Sequence, residues 1–585
     1  MKEEILKLQS LLKKNKINAY LVPTSDFHGS EYLSDYFKER EYLSGFTGSA
    51  GTLIVTQETA YLWTDGRYFL QAEKELADSG ITLCKSGEEG VLTVDEFLKT
   101  TLKKGDTLAF DGKLISAFKV LNWEKNLNVK LLNKNFTDFI WQDRPPLPEQ
   151  PIYFLDEKYC GEQTTSKLQK IRKDMKKSNC NGHLISSLED IAWILNLRGN
   201  DILNTPVALA YLYLSENNGT LFISEKVLTD DITKKLAENN ITVSPYQNIY
   251  KEICKLSKHK KVLLDLNSVN YSLYKSISGK TVDNRNPSTI LKAIKNPTEI
   301  QNLRNCHIKD GVAVTEFMIW LKDNVGKTEI TEISAADYLE NCRKKQDGFI
   351  SLSFDTISAY QQNGAMVHYS AAKESNATIK ASGMLLVDSG GQYFDGTTDI
   401  TRTFILGAIS NEAKLHYTTV LRSMLSLASA KFLYGATGSN LDILAREPLW
   451  QLSLDYKHGT GHGVGYLLSV HEGPNAFSKN SNTVFQEGMV TTDEPGIYLE
   501  NKYGIRIENE LLCCKDIKNE YGQFMRFETL TLAPIDVDGI DTSYMTEFEI
   551  SALNSYHELV FKKLSPFFNG ENLEKLRKYT SPIKK

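Results

Sequence analysis

Residues 384–406 read MLLVDSGGQYFDGTTDITRTFIL, two apolar runs joined by a glycine-containing loop. Asp388 ends the first run and Asp399 begins the second, and this offset of eleven residues fits no helical face. We therefore predict two adjacent strands with the aspartates side by side. Such carboxylates repel each other unless a cation neutralises them or one takes up a proton. Taken alone, the aspartates could equally cap turns, where this residue type is common.

Three later segments also place ionisable side chains beside glycine: HGTGHGVG (458–465), TTDEPG (491–496) and GIRIENE (504–510). Glu494 stands before a Pro-Gly pair, which ends a strand and leaves the carboxylate at the strand end. We predict a strand over YGIRIENELL (503–512), in which alternation puts Arg506 and Glu508 on the same face. An exposed turn acid and a surface-facing strand are the alternatives for these two segments.

Together, these segments supply four carboxylates and one imidazole, from Asp388, Asp399, His462, Glu494 and Glu508. Hard oxygen donors with one nitrogen suit manganese, cobalt, iron or zinc. Two divalent cations that share bridging carboxylates can hold a water, lower its pKa and polarise a carbonyl. The set therefore indicates a dinuclear metal centre that catalyses hydrolysis.

Histidines gather near the same residues. His458, His462 and His471 fall within fourteen glycine-rich positions, and His368 lies upstream in NGAMVHYS. A single histidine is most often structural. Three in one glycine-rich run favour a functional site, because glycine lets the backbone approach closely.

The composition is that of a soluble globular protein of several domains, with 41% hydrophobic and 24% charged residues over 585 positions. The formal charge of -5 gives no reason to expect nucleic acid or an anionic membrane as a partner. No apolar stretch approaches the roughly 18 residues of a membrane span, and the start MKEEILKLQSLLKK is unlike a secretory signal. Eight scattered cysteines without a CxxC motif fit a reducing compartment, so we expect a cytoplasmic protein.

Proline-containing segments divide the chain into three parts. RPPLPEQP (144–151) predicts an extended connector, and Pro287 and Pro297 mark a second boundary before a long helical pattern. We therefore predict domains at 1–147, 148–296 and 297–585. The first two share a similar order of helices, hairpins and buried strands, which indicates two α/β domains of similar topology. The third carries every ligand-type segment.

The same motifs resemble those of a known family. DSGGQYFDGTTDITRT, HGTGHGVGYLLSVHEGP, DEPGIY and GIRIEN are similar to signatures of the pita-bread metallopeptidases, which include methionine aminopeptidase, prolidase and Xaa-Pro aminopeptidase. SEYLSDYFKEREYLSGFTGSAGTLIV and IAWILNLRGNDILNTPVALAYLYL resemble the amino-terminal domains of the long, three-domain Xaa-Pro aminopeptidases. The resemblance covers essentially the whole chain. It implies two α/β amino-terminal domains followed by a pita-bread α+β catalytic domain.

The resemblance also implies a role for each matching residue. Five positions match the family's metal ligands: Asp388, Asp399, His462, Glu494 and Glu508. Within this set, Asp399 and Glu508 match the carboxylates that bridge the two metals. Five positions match groups that contact substrate, move protons or orient the site: His368, His458, His471, Glu494 and Arg506. Manganese is the family's usual activator, with cobalt, zinc and iron as alternatives.

The activity that the resemblance implies is release of the amino-terminal residue from peptides with proline in the second position, by a hydroxide that bridges both metals. Prolidase, which cleaves only Xaa-Pro dipeptides, is the nearest alternative. A non-catalytic peptide-binding module of the same fold is another, and the five intact ligands argue against it. The expected partners are peptides with an amino-terminal Xaa-Pro sequence and a second copy of the chain in a homodimer.

Overall fold

The computed structural model describes residues 2–373 and 375–585. These residues form two units. The first comprises the chain up to Asp156 together with Glu162–Thr289, and the second comprises Glu157–Gly161 and Ile290–Lys585. Among the described residues, no helix combines the length and the apolar character that crossing a membrane requires.

Apolar runs form the central strands of the amino-terminal sheet in the first unit. Its strands follow the spatial order Thr82–Lys85, Ala60–Thr64, Thr52–Thr56, Ala19–Pro23, Thr107–Phe110 and Lys130–Asn133. The helices of this part span Glu3–Asn15, Glu39–Ser44, Phe69–Glu75, Val94–Thr101 and Ala117–Asn126. Ile5, Leu8 and Leu12 of the first helix are fully buried, as their helical spacing predicts.

A second sheet in the first unit repeats this topology. Its strands follow the spatial order Ile241–Pro245, Gly219–Ile223, Ala210–Ser215, Gly182–Ile185, Lys261–Leu264 and Lys280–Asp283. Neighbouring strands pair in the same parallel or antiparallel sense as their counterparts in the first sheet. A short antiparallel pair adds Tyr153–Phe154 and Leu197–Arg198. The helices span Thr164–Lys177, Leu188–Leu195, Asp230–Glu238, Ile249–Leu256 and Tyr271–Lys275. The predicted pair of α/β domains of similar topology is confirmed.

Antiparallel strands and long helices build the second unit. The longest helix, Pro297–Asn324, begins with a capping box between Asn296 and Glu299 and has proline at its first position. A helix at Pro287–Ala293 precedes it, and the others span Glu157–Cys160, Glu332–Lys344, Asn411–Ala428, Gly438–Trp450, Glu547–Leu564 and Gly570–Tyr579.

The strands of the second unit pair only in the antiparallel sense among the described residues. The largest sheet has the spatial order Lys431–Leu433, Gly522–Thr529, Asn509–Asn519, Val490–Asp493, Gly461–Gly463 and Glu472–Phe477. Two three-stranded sheets comprise Ile357–Tyr360, Met384–Ser389 and Ile400–Ile405, and Phe349–Leu352, Gly391–Tyr393 and Gly396–Thr397. Two-stranded pairs join Gly496–Leu499 with Tyr503–Arg506, and Ile330–Thr331 with Thr378–Ile379. This mixture of helices and antiparallel sheets confirms the α+β prediction.

The predicted single strand over 503–512 is wrong. The structure breaks it into Tyr503–Arg506 and Asn509–Asn519, which belong to different sheets. The chain changes sheets because the Glu508 N–H donates to the Thr401 carbonyl at 3.1 Å instead of joining either ladder. A run of alternating residues does not reveal such a change of backbone partner.

The alternation of side chains continues across this break. Ile505 and Ile507 lie in a hydrophobic core with Val420 and Leu421 of the helix Asn411–Ala428. The residues between and after them point to polar partners, so the break leaves the predicted polar face intact.

Candidate metal centre

The two strands of the 384–406 segment are adjacent, as predicted, and Asp388 lies opposite Thr401, two positions beyond Asp399. Met384–Ser389 and Ile400–Ile405 pair as antiparallel neighbours, with Asp388 inside the first strand and Asp399 immediately before the second. Asp388 Oδ2 accepts a hydrogen bond of 2.6 Å from Arg506 Nη2. Its Oδ1 is buried and has no hydrogen-bond partner among the described residues. The arginine orients this carboxylate, and Oδ1 remains available to a cation.

His462 lies at the centre of the strand Gly461–Gly463. A Cβ on the preceding glycine would fall 1.8 Å from the Thr492 carbonyl oxygen, so only glycine lets this strand approach so closely. The Nδ1–H of His462 donates to the carbonyl of the next residue at 3.0 Å. Nε2 then faces Asp399 Oδ2 at 3.5 Å and Glu494 Oε1 at 3.4 Å. A metal-binding histidine adopts this arrangement, with one nitrogen fixed by a hydrogen bond and the other directed at the site.

Hydroxyl groups orient the two glutamates. Glu508 Oε2 accepts a hydrogen bond of 2.6 Å from Thr401 Oγ1, and Glu494 Oε1 accepts one of 3.2 Å from Thr492 Oγ1. The Thr401 hydroxyl in turn accepts from Arg506 Nε at 3.1 Å. Each carboxylate is therefore held at one oxygen and keeps acceptor capacity at the other.

These side chains concentrate negative charge in a way that fits divalent cations. One donor atom each from Asp399, His462 and Glu508 lie within 4.8 Å of one another. Burial, followed by repulsion from neighbouring carboxylates, raises the pKa of Asp399 and of Glu508 well above the usual range. Burial also raises the pKa of Glu494 to about 7. A bound cation would remove the repulsion, and oxygen donors with one imidazole suit a first-row divalent metal.

A chain of hydrogen bonds leads from Asp388 to His458 through two further side chains. Arg506 Nη1 donates to the Tyr498 hydroxyl at 2.8 Å, in addition to the bond that Nη2 makes to Asp388. His458 Nδ1–H donates to the Gly459 carbonyl at 2.7 Å, so Nε2 of the neutral ring accepts from the Tyr498 hydroxyl at 2.9 Å. Burial raises the pKa of Tyr498 to about 12, which keeps this donor protonated at neutral pH. Tyr498 thus links the position of Arg506 to that of His458.

The other two histidines of the prediction occupy separate segments. His471 packs edge-on against His462, with ring centroids 4.2 Å apart. The residue after it, Glu472, forms a buried ion pair of 2.6 Å with Lys295 Nζ, which anchors this segment. His368 lies on a different loop, which follows a short turn at 361–365. The structure thus brings His471 to the donor cluster and places His368 on the loop that follows the turn at 361–365.

Three residues of the site were not predicted from the sequence: Thr401, Tyr498 and Glu510. Glu510 Oε1 accepts a hydrogen bond of 2.8 Å from the Asp399 N–H, and its Oε2 lies 3.3 Å from His307 Nε2. The only signal for Tyr498 is its place two positions after the Glu-Pro-Gly turn. Thr401 and Glu508 are 107 positions apart, so no local pattern shows that they meet.

Models of known families match nearly the whole chain. Models described as Creatinase/Prolidase N-terminal domain match residues 5–144 and 143–299. The model of Metallopeptidase family M24 matches residues 301–515, and that of the C-terminal region of peptidase M24 matches 523–583. The catalytic family model therefore covers all five predicted metal ligands.

Full-length relatives carry a consistent name. Xaa-Pro aminopeptidase 1 of Dictyostelium discoideum is 39% identical over 597 residues, which cover 98% of this chain and 94% of the relative. The probable Xaa-Pro aminopeptidase P of Sordaria macrospora is 38% identical and covers 99% of each chain.

Solved structures agree with these relatives. X-prolyl aminopeptidase from Caenorhabditis elegans, described as a cytosolic enzyme with a di-nuclear active site, aligns with a TM-score of 0.95 at 35% identity over 99% of both chains. The Xaa-Pro dipeptidase from Bacillus anthracis shares the fold at 23% identity, with a TM-score of 0.53 over 64% of this chain. Identity and coverage along the whole length lead to one conclusion: the chain belongs to the Xaa-Pro aminopeptidases of metallopeptidase family M24.

Proposed function

We propose that this chain is an aminopeptidase that hydrolyses the bond between an amino-terminal residue and a following proline. The observation that carries the proposal is the convergence of Asp399, His462 and Glu508 in a chain that matches Xaa-Pro aminopeptidases over its full length. The buried, unpartnered Oδ1 of Asp388 supports the same reading, because a buried acceptor without a donor calls for a ligand.

Five side chains would hold the metals: Asp388, Asp399, His462, Glu494 and Glu508. When bound, two divalent cations supply Lewis acidity toward a carbonyl oxygen and lower the pKa of water. Manganese is our choice because it is the usual activator in the family that the chain resembles, and the donor set suits cobalt, zinc and iron as well.

Glu494 is the proposed proton acceptor. Burial raises the pKa of this carboxyl to about 7 in the metal-free fold, and bound cations would favour its ionised form, which is the form that accepts a proton. Its Oε1 already accepts a hydrogen bond from Thr492, so the transferred proton is carried by Oε2.

Three histidines and one arginine complete the proposed machinery. The nitrogen of proline carries no hydrogen in the substrate amide, so it must gain a proton from the protein as the bond breaks. We assign this delivery to His471, and its ring contact with His462 supports the assignment. His458 and His368 are assigned to the developing charge and to substrate, and Arg506 orients Asp388.

Tyr498→Phe should lower turnover about tenfold with little change in KM. The substitution removes only the hydroxyl that joins Arg506 to His458, and a hydrogen bond to a charged group contributes about 1.5–3 kcal/mol. Steady-state kinetics will measure the effect. Tyr503→Phe is the matched control, because its hydroxyl bonds to His416 rather than to the site. An equal loss in both variants would contradict the role given to Tyr498.

Activity on a tripeptide separates the aminopeptidase from a prolidase. We expect release of free arginine from Arg-Pro-Pro in the presence of manganese, and none from Arg-Ala-Pro or after chelation. Product analysis by mass spectrometry is sufficient. Cleavage confined to the dipeptide Arg-Pro would instead establish a prolidase, and no release under any metal would favour a peptide-binding module.

Further attributes complete the proposal. The domain limits 1–147, 148–296 and 297–585 gain support from family models that end at residue 144 and begin at residue 301. A cytoplasmic location is supported by the description of the Caenorhabditis elegans relative as cytosolic. A homodimer is proposed on family resemblance, and light scattering of the purified protein will test it.

A further inference from the structure

The helix Glu332–Lys344 begins with a fully buried carboxylate that accepts four hydrogen bonds. Glu332 Oε1 accepts from the Tyr360 N–H at 2.7 Å and from Asn363 Nδ2 at 2.9 Å. Oε2 accepts from the Tyr369 hydroxyl at 2.8 Å and from the Ala377 N–H at 2.9 Å. The side chain is 0% exposed, so no water competes for these bonds.

The four donors lie on both sides of His368. Tyr360 and Asn363 precede this histidine, whereas Tyr369 and Ala377 follow it. The backbone adds a fifth bond, from the Glu332 N–H to the Ala377 carbonyl at 3.1 Å. One carboxylate therefore ties together the two ends of the segment that carries His368.

This segment is docked on the strands of the metal centre. Ile357–Tyr360, which leads into it, pairs with Met384–Ser389 and places Ile357 opposite Asp388. Further along, the backbone of Gly364 approaches that of Gly504 so closely that a Cβ on Gly504 would fall 1.7 Å from the Gly364 carbonyl oxygen. The segment is therefore fixed relative to Asp388 at its start. Further along, Tyr369, Met366 and Ala371 pack in a cluster that includes Leu386, and Glu332 adds hydrogen bonds to both ends.

Only a carboxylate serves all four donors. Two of them are backbone N–H groups, which cannot accept a hydrogen bond. The Tyr369 hydroxyl lies 2.8 Å from Glu332 Oε2 and 2.9 Å from the Ser375 carbonyl, so its single hydrogen serves either acceptor. A glutamine at 332 would keep the shape but would turn an NH2 group toward one pair of donors. The charge also lies at the amino terminus of its own helix, where the helix dipole favours an anion.

We propose that Glu332 is a positioning residue for His368: its carboxylate holds the 360–377 segment so that the histidine meets the substrate. The proposal rests on the proposed function, because it assigns His368 to catalysis. Glu332 itself touches no substrate in this account and acts only through the histidine.

A double-mutant cycle tests the proposal. With His368 present, Glu332→Gln should lower kcat roughly 10- to 100-fold, the loss expected when a catalytic group is displaced by about 1 Å. In the His368→Ala background the same substitution should have no further effect, since the group it positions is gone. An equal loss in both backgrounds, or a His368→Ala variant with wild-type turnover, would overturn the proposal.

Asp310→Asn is the matched control for lost stability. Asp310 is a buried carboxylate that accepts a hydrogen bond of 2.7 Å from Arg343, which lies on the same helix as Glu332. It makes no hydrogen bond to the described residues of the 360–377 segment, 360–373 and 375–377. Asp310→Asn should change kcat by the same factor whether residue 368 is histidine or alanine. If Glu332→Gln folds poorly, Tyr369→Phe can replace it in the cycle. Tyr369→Phe removes one hydrogen-bond donor to Glu332, so it should show the same dependence on His368 with a smaller loss of kcat.

Hydrogen exchange separates this proposal from the proposed function. Glu332→Gln should speed amide exchange within residues 361–373, whereas Asp310→Asn should leave that segment unchanged. If amide exchange within residues 361–373 is unchanged in Glu332→Gln, Glu332 does not hold the segment, and the proposal is refuted even if the enzyme is active. If the wild-type protein releases no amino-terminal residue, the proposed function fails, and the exchange rates still decide whether Glu332 holds the segment.

Discussion

Asp399→Asn should abolish peptide hydrolysis without unfolding the protein. Asp399 lies within reach of His462 and Glu508, and the family resemblance assigns it, with Glu508, to the carboxylates that would bridge both metals. Loss of a residue that hydrogen-bonds to a metal ligand already lowers metal affinity or activity by about 10–100-fold. Loss of the ligand Asp399 itself should therefore lower kcat by more than about 100-fold. When both proteins are compared without metal, the substitution should not lower stability, because burial and neighbouring carboxylates already disfavour the charge on Asp399 in the metal-free state.

Kinetics, metal content and thermal unfolding together measure this result. Asp395→Asn is the matched control, since Asp395 lies in the same loop but pairs with Lys309 at 2.7 Å instead of facing the donor cluster. That control should retain its activity and its metal. Near-normal turnover by Asp399→Asn would contradict the bridging role.

Removal of metal should destabilise the protein more at pH 8 than at pH 5. Asp399, Glu494 and Glu508 have raised pKa values in the metal-free fold, to about 7 for Glu494, so the folded state favours their protonated forms. The metal-free protein therefore loses stability as pH rises from the unfolded pKa, about 4, through the folded value. Bound divalent cations favour the ionised carboxylates and reverse this loss.

Thermal unfolding with and without a chelator measures the difference. The gap in Tm between loaded and stripped protein should widen from about pH 5 to about pH 8, and added manganese should restore both Tm and activity. Glu494→Gln should reduce the widening, because it removes the group that titrates near pH 7. A gap of the same size at both pH values would show that these carboxylates do not bind the metals.

The sequence predicted most of the fold because its local signals agree with the tertiary structure. Apolar runs such as AYLVP became central strands, and the shared order of elements in the first two segments became two sheets of one topology. The prediction of a single strand over 503–512 was wrong because the Glu508 N–H donates to the carbonyl of Thr401, a residue far away in the chain.

The predicted ligands were visible because each carboxylate lies in a short segment that also contains glycine. Their supporting residues were not visible. In the sequence, Glu332 cannot be told apart from any acidic residue in the first turn of a helix, and Tyr498 cannot be told apart from any aromatic residue in a strand. His307 is buried, and its Nε2 lies 3.3 Å from Glu510 Oε2, although no motif surrounds this histidine in the sequence. Such functions depend on contacts between distant segments, which composition and periodicity do not encode.

Anomalous diffraction from crystals grown with manganese tests the dinuclear centre most directly. Data collected on both sides of the manganese absorption edge should show two peaks about 3.5–4 Å apart. Both peaks should lie among Asp388, Asp399, His462, Glu494 and Glu508. A map with no peak there, or with these side chains turned away from one another, would contradict the metallopeptidase account.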